Sequence, residues 1–187
     1  PPPFATILDI GGGPGRYAIA LTPAVYAVTL LDLAAGNLIF ARDRAAEAGV
    51  ALTATVHGDA TALPALPQAT YDAVLLLGPL YHLRTETARQ AAVAEAWRVL
   101  RPGGVLAAAF ICRFAPLRFA AQVHPTWSVE RAGELAEIMT TGLNRPDTGY
   151  FIDAYFAHPT EIRPLLEPAF EVEGCFLLPG SEACARL

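Results

Sequence analysis

The residues that could do chemistry here are a glycine run and the carboxylates that follow it at strand-length intervals. Residues 7–16 read Ile-Leu-Asp-Ile-Gly-Gly-Gly-Pro-Gly-Arg: an apolar run ends at Ile10, and four of the next five residues are glycine. Glycine takes positive φ readily and lets a ligand lie against bare backbone. A helix starting near Arg16 would turn its orphan N–H groups outward. Such a turn, after the first strand of a βαβ unit, is where open α/β folds hold nucleoside cofactors. Asp32 stands about 20 residues further on, where a carboxylate can accept both hydroxyls of a ribose. The same residue could instead cap the following helix. Asp59, in Gly58-Asp59-Ala60, suits the exocyclic amine of an adenine, with the Ala60 N–H reaching a ring nitrogen. Tyr81 and His82 lie just past a fourth apolar run, facing the same edge.

These residues need an alternating scaffold to bring them together, and the hydrophobic pattern supplies one. Strands are expected at Ala5–Ile10, Val25–Leu31, Leu52–His57, Ala73–Leu77 and Val105–Phe110. Helices are expected at Gly15–Leu21, broken by Pro23, at Ala34–Ala48, ended by Gly49, and at Thr85–Leu100. In the last of these Val93, Ala96, Trp97 and Leu100 recur at helical spacing, which predicts a packed face that includes Trp97. Gly78-Pro79 breaks the fourth strand, and Leu80–Leu83 reads as a loop. Arg101-Pro102-Gly103-Gly104 stops the long helix and leads into the fifth strand. The rhythm predicts an α/β fold, a doubly wound and mainly parallel sheet with helices on both faces.

After Ile111 the pattern loosens into an aromatic-rich insertion, residues 111–157, with one short helix expected at Val129–Thr140 ending at Gly142. His124, Tyr150, Tyr155 and His158 could line a substrate pocket there, or form the insertion's own core. A short helix at Pro159–Leu166, with Ile162, Leu165 and Leu166 inward, and a sixth strand at Phe170–Leu178 close the reading; Pro179–Leu187 trails away. The whole, 1–187, reads as one domain: a cofactor-binding core over 1–110, the insertion over 111–157, and a C-terminal helix and strand over 158–187. The opening Pro1-Pro2-Pro3 runs straight into the first strand, which suggests a missing N-terminal segment.

Bulk properties narrow the function. A chain of 187 residues with 53% hydrophobic and 17% charged residues can bury a real core. A net charge of −5 argues against nucleic acid as the main partner. All thirteen basic residues are arginine, so lysine-based covalent chemistry is excluded. Cys112, Cys175 and Cys184 show no metal-ligand spacing and read as reduced thiols of a cytoplasmic protein. No apolar run of membrane-spanning length occurs, so no membrane partner is expected.

The series ILDIGGGPG, Asp32, GDATALP, YDAVLLLGPLYHL and AWRVLRPGG resembles a class I S-adenosylmethionine-dependent methyltransferase, of the small-molecule branch. The likeness covers residues 5–110 in order and is looser beyond. It implies S-adenosylmethionine as cofactor, with Gly11 and Gly13 against its methionine moiety and Asp9 holding the loop. Asp32 would bind the ribose, Leu33 would pack on the adenine, Asp59 and Ala60 would read the adenine edge, and the Leu77 and Gly78 backbone would accept the amino group. It also implies a seven-stranded sheet with an antiparallel last strand, of which six strands are legible, so a C-terminal edge could be missing as well.

Methyl transfer from a sulfonium is an in-line displacement, so the protein must position the acceptor and, where needed, take its proton. His82, with Tyr81 beside it, is the best-placed base; both could equally wall the methionine end of the cofactor. The composition of the insertion suggests a small-molecule acceptor, with no metal, and leaves its identity and the oligomeric state open. One alternative is a non-catalytic cofactor-binding protein of the same fold. Another is an NAD(P)-dependent oxidoreductase: its G-x-G-x-x-G motif fails from Gly11, where position 16 is Arg, but from Gly13 the chain reads G-x-G-x-x-A to Ala18.

Overall fold

The computed structural model describes residues 5–145, 153–177 and 182–186. Each half-turn of the apolar rhythm becomes one element. The strand β1 (Thr6–Ile10) feeds the glycine turn and α1 (Arg16–Leu21), and β2 (Ala27–Asp32) leads to α2 (Ala35–Glu47) and β3 (Ala54–His57). Then come β4 (Tyr71–Leu76), α3 (Pro79–His82), α4 (Glu86–Val99) and β5 (Leu100–Ile111). All pairings among these five strands are parallel, in the order β3-β2-β1-β4-β5.

Strand order reverses at β1, whose neighbours are β2 on one side and β4 on the other. Connections leaving β1 and β4 therefore go to opposite faces of the sheet, and a crevice opens beyond their carboxyl ends. Each side of the sheet carries a buried apolar cluster. Leu8, Ile10, Val74, Leu76, Leu106 and Ala108 pack with Ala92, Val93, Ala96 and Val99 of α4 on one face. Ile7, Val28, Leu30 and Ala73 pack with Ala18, Leu38 and Ala41 on the other.

The insertion holds α5 (Ala115–Val123), α6 (Trp127–Glu130), α7 (Ala132–Thr141) and a two-residue pair, β6 (Leu143–Asn144) with β7 (Ala154–Tyr155). Its core is Ile111, Ile138, Ala154 and Phe156, with Tyr81 and Ala115 against it. The chain then forms α8 (Pro159–Leu166), β8 (Gly174–Leu177) and β9 (Glu182–Arg186). The last strand slots antiparallel beside β5, and β8 pairs with β9 at the edge.

Four expectations are corrected. The sheet has seven strands, not six, because residues 182–186 do not trail away but pair with Ala107–Ile111. Leu80–Leu83 does not read through as a loop: Pro79 opens a helical turn, since its missing N–H falls where no partner is needed. The insertion carries helices at 115–123 and 127–130 that the sequence reading lacked, and its third starts at Ala132; Gly142, at φ +76°, ends it as expected. Trp97 is 57% exposed, because Val93, Ala96 and Val99 already fill the face against the sheet and Trp97 lies at its rim, lining a surface cavity with Pro168 and Ala169. Among the described residues no helix is long and apolar enough to cross a membrane, and no three His, Cys, Asp or Glu side chains are grouped to hold a metal.

Candidate active site

The crevice is floored by the glycine turn. Gly11, Gly13 and Gly15 all sit at positive φ, +64°, +57° and +78°. Each conformation is one that a side chain would strain. The Gly11 and Gly12 N–H groups donate to the Leu31 carbonyl, which ties the turn to the end of β2. A Cβ on Gly11 would lie 2.5 Å from Pro79 Cγ, so that glycine is needed for packing. A Cβ on Gly13 would meet nothing nearer than Asn37 at 4.0 Å; there the bare backbone opens into a cavity.

That cavity, about 340 Å³, is lined by Gly11, Gly13, Asp32, Leu33, Asp59, Ala60, Gly78, Tyr81 and His82 among others. Nine of the eleven residues read from the sequence as cofactor contacts or candidate bases thus converge on one space. The other two, Asp9 and Leu77, do not line it. Asp9 lies beneath the turn, 1% exposed, so close that a Cβ on Gly12 would sit 2.4 Å from its Oδ2.

The expectation that Asp9 holds the loop is not matched by a hydrogen bond. Neither of its carboxylate oxygens has a partner. Burial pushes its pKa up to about 7, and the charge of Asp32 adds to the rise. The Ala18 N–H, an orphan of the first turn of α1, offsets part of this without closing a hydrogen bond. The loop hangs on Asp32 instead. Asp32 Oδ2 accepts from the Gly13 N–H at 2.8 Å, and Oδ1 accepts from the Ala34 N–H at 2.8 Å and Asn37 Nδ2 at 3.0 Å. One carboxylate therefore ties the glycine turn to the start of α2 while its rim faces the cavity.

The other wall follows the same logic. Leu33 is 66% exposed, an apolar surface left facing the cavity. Its carbonyl meets His57 Nε2 at 2.8 Å, which gives His57 a structural task outside the cavity. Asp59 Oδ1 accepts from both the N–H and the hydroxyl of Thr61, each at 2.8 Å, and so fixes the turn after β3. His82 stacks obliquely on Tyr81, centroids 4.7 Å apart. Partial burial holds its pKa below the usual imidazole range, with Asp32 pulling the other way. Tyr81 reaches from the cavity into the core of the insertion, joining the two.

Asn37, Gly58 and Leu83 also line the cavity and escaped the sequence reading. Asn37 had one signal available: a polar side chain in the first turn of a helix, five residues after a candidate binding carboxylate. The insertion's candidates lie elsewhere. His124 stacks on Trp127 at 4.6 Å, His158 caps α8, and Tyr155 lines a different cavity. Tyr150 lies outside the described residues.

Comparison with known proteins places the fold in one family. A family described as "Methyltransferase domain" matches residues 7–104, just over half of the chain. Over 127 residues the chain is 34% identical to 2-methyl-6-phytyl-1,4-hydroquinone methyltransferase 2 of Oryza sativa subsp. japonica, covering 67% of this chain and 31% of that one. Over 102 residues it is 36% identical to the ubiquinone/menaquinone biosynthesis C-methyltransferase UbiE of Methylobacterium nodulans, covering 52% and 38%. The chain thus matches well under half the length of these two relatives. A solved structure of a SAM-dependent methyltransferase from Methanosarcina mazei superimposes with TM-score 0.74 at 21% identity, over 100% of this chain and 92% of that one. With the glycine cradle, the strand order and the family match in agreement, the chain belongs to the class I S-adenosylmethionine-dependent methyltransferases, with S-adenosylmethionine as cofactor.

Proposed function

We propose that this chain transfers a methyl group from S-adenosylmethionine to a small organic acceptor by in-line displacement. The observation that carries the reading is the single cavity on which Gly13, Asp32, Leu33, Asp59, Ala60 and His82 converge. The two curated relatives support a small acceptor, one being named for a hydroquinone and the other for ubiquinone/menaquinone biosynthesis.

The residues present fit the cofactor. Gly11 and Gly13 leave bare backbone for the methionine moiety, and the carboxylate of Asp32 at the cavity wall favours a cation. Asp32 Oδ1 already accepts two hydrogen bonds, and Oδ2, with one, keeps an unused lone pair for a ribose hydroxyl. Exposed Leu33 offers an apolar face to the adenine, and Asp59 Oδ2 with the Ala60 N–H offers its edge an acceptor and a donor. The Leu77 and Gly78 backbone provides carbonyls for an ammonium group. When bound, the cofactor supplies a methyl group on a positively charged sulfur, already activated for displacement. What remains for the protein is to hold the acceptor in line, keep water out and remove a proton. His82, kept neutral by burial, takes that proton at an imidazole nitrogen, with Tyr81 bracing the ring. Ile111, Ile138, Ala154 and Phe156 of the insertion pack against Tyr81 and so hold it beside the place the acceptor would take.

The test is calorimetric titration with S-adenosylhomocysteine, with NAD⁺ as control. Micromolar binding of the first and none of the second is expected. Asp32→Ala should weaken that binding at least 100-fold on the order of a lost charge-assisted hydrogen-bond pair, with the fold retained by circular dichroism. Unchanged affinity in the variant would remove Asp32 from the site, and binding of NAD⁺ alone would overturn the reading.

A further inference from the structure

A second cavity, about 300 Å³, lies between α4 and α8 and shares no lining residue with the glycine cradle. Its walls are mixed: an apolar side of Phe110, Ala157, Ile162, Pro164 and Leu165 faces polar groups that include Glu86, Gln90 and Thr160. One cation lines it. Arg89 is only 7% exposed, four residues before Val93 on the buried face of α4, where a charge is out of place.

The partners of Arg89 are incomplete. Its Nη1 donates to the Leu83 and Arg84 carbonyls, at 2.8 and 3.0 Å, which uses both hydrogens of that nitrogen. The guanidinium lies over the Tyr155 ring, 3.6 Å from its centroid. Among the described residues no carboxylate forms an ion pair with it, and no acceptor is hydrogen-bonded to Nε or Nη2. Yet neither nitrogen is sealed from solvent, and the cavity is the space Arg89 borders. Nε–H and Nη2–H form the edge of the guanidinium that grips two oxygens at once.

The surrounding charges select the ligand. Glu161 is committed to Arg113, 2.7 Å away, and to the Tyr155 hydroxyl and the His158 N–H. Arg113 is committed in turn to Glu161, Tyr155 and the Phe156 carbonyl. Glu86 accepts from Gln90. One cationic edge is therefore open, flanked by two carboxylates that would repel a dianion. We propose that this cavity is a binding site for a small monocarboxylate with an apolar body, its two oxygens held by Nε and Nη2 of Arg89 and its body against Phe110, Ile162 and Leu165. The site is independent of the methyl-transfer reading. It is coupled to the cradle, because Arg89 also holds the carbonyls that directly follow His82.

The test uses sodium benzoate as probe on the full chain, by calorimetry and amide NMR, with and without S-adenosylhomocysteine. Saturable 1:1 binding is expected in both conditions, with shift changes centred on residues 83–90 and 155–165. Acetate, lacking the body, and phosphate, carrying the second charge, should bind at least tenfold more weakly, and benzylamine not at all. Arg89→Lys, which keeps the charge and loses the fork, should weaken benzoate at least tenfold. Leu165→Trp, which fills the cavity and leaves Arg89, should abolish it. No saturable binding, equal binding of benzylamine, or shifts confined to the glycine cradle would each overturn the proposal. If a variant fails to fold, the ligand series and the shift map on the natural chain still decide it.

Discussion

Asp9 is a carboxylate buried under the glycine turn with neither oxygen satisfied, and its cost depends on pH. Its folded pKa, about 7, lies above the unfolded value of 3.8, so between these the folded protein holds a proton that the unfolded chain releases. Stability therefore falls as pH rises through that window, and the penalty is complete above it. Asp9→Asn should raise the unfolding free energy at pH 8 by roughly 2–4 kcal/mol and change it little at pH 4. Urea unfolding at the two pH values checks this, and an equal effect at both would remove ionisation as the cause. His82 makes a complementary claim. As the proton acceptor, with its pKa held down by partial burial, it should give a rate that rises with pH through a value below the usual imidazole range and then levels. His82→Ala should lower kcat on the order of 100-fold, weaken S-adenosylhomocysteine far less, and erase that limb. Parallel losses in rate and affinity would make His82 a wall residue only.

At the scale of elements, the site depends on strands held in register well away from it. Asp72, at the far end of β4, accepts from the Thr6 N–H and hydroxyl at 2.7 and 2.8 Å and from Arg101 at 2.8 Å, joining β1, β4 and β5 at their amino ends. The Thr6 N–H and hydroxyl hold its pKa below the usual carboxylate range. That stabilisation is present above the unfolded pKa and is lost as pH falls through the folded one. Asp72→Ala should cost about 1–2 kcal/mol at pH 7, an effect that fades in acid. Thermal melts at pH 7 and pH 3 measure it, and a pH-independent loss would point to packing instead. Elements such as β1, β2 and α4 were legible because their patterns are local: an apolar run, a period, a cap. Helix α3 was not, since Gly78-Pro79 reads as a break, while proline is also a favoured first residue of a helix. Trp97 misled for a related reason: periodicity identifies a face, and how wide that face is depends on what packs against it.

For the molecule as a whole, the convergence of the glycine turn, Asp32 and Asp59 on one cavity was legible in the sequence, because a glycine turn and two carboxylates at strand-length spacing leave little geometric freedom. The rest depends on contacts far apart in sequence. Arg89 gave a local sign, a charge on an apolar face, but its open edge and the cavity beside it exist only once α8 has packed across α4. Tyr81 likewise acquires its neighbours in the insertion from distant elements. Strand β9 is the extreme case. It is made after β8 but lies inside it, between β8 and β5. On a ribosome, β8 emerges before β9, the neighbour it pairs with among the described residues. The five parallel strands can pair in the order they appear, whereas this edge must wait, and until then the outer side of β5 is an unpaired template for any other strand. Assembly of the sheet is therefore completed from the inside out at this end, and the interval before β9 arrives is when the nascent chain is most open to joining the wrong neighbour.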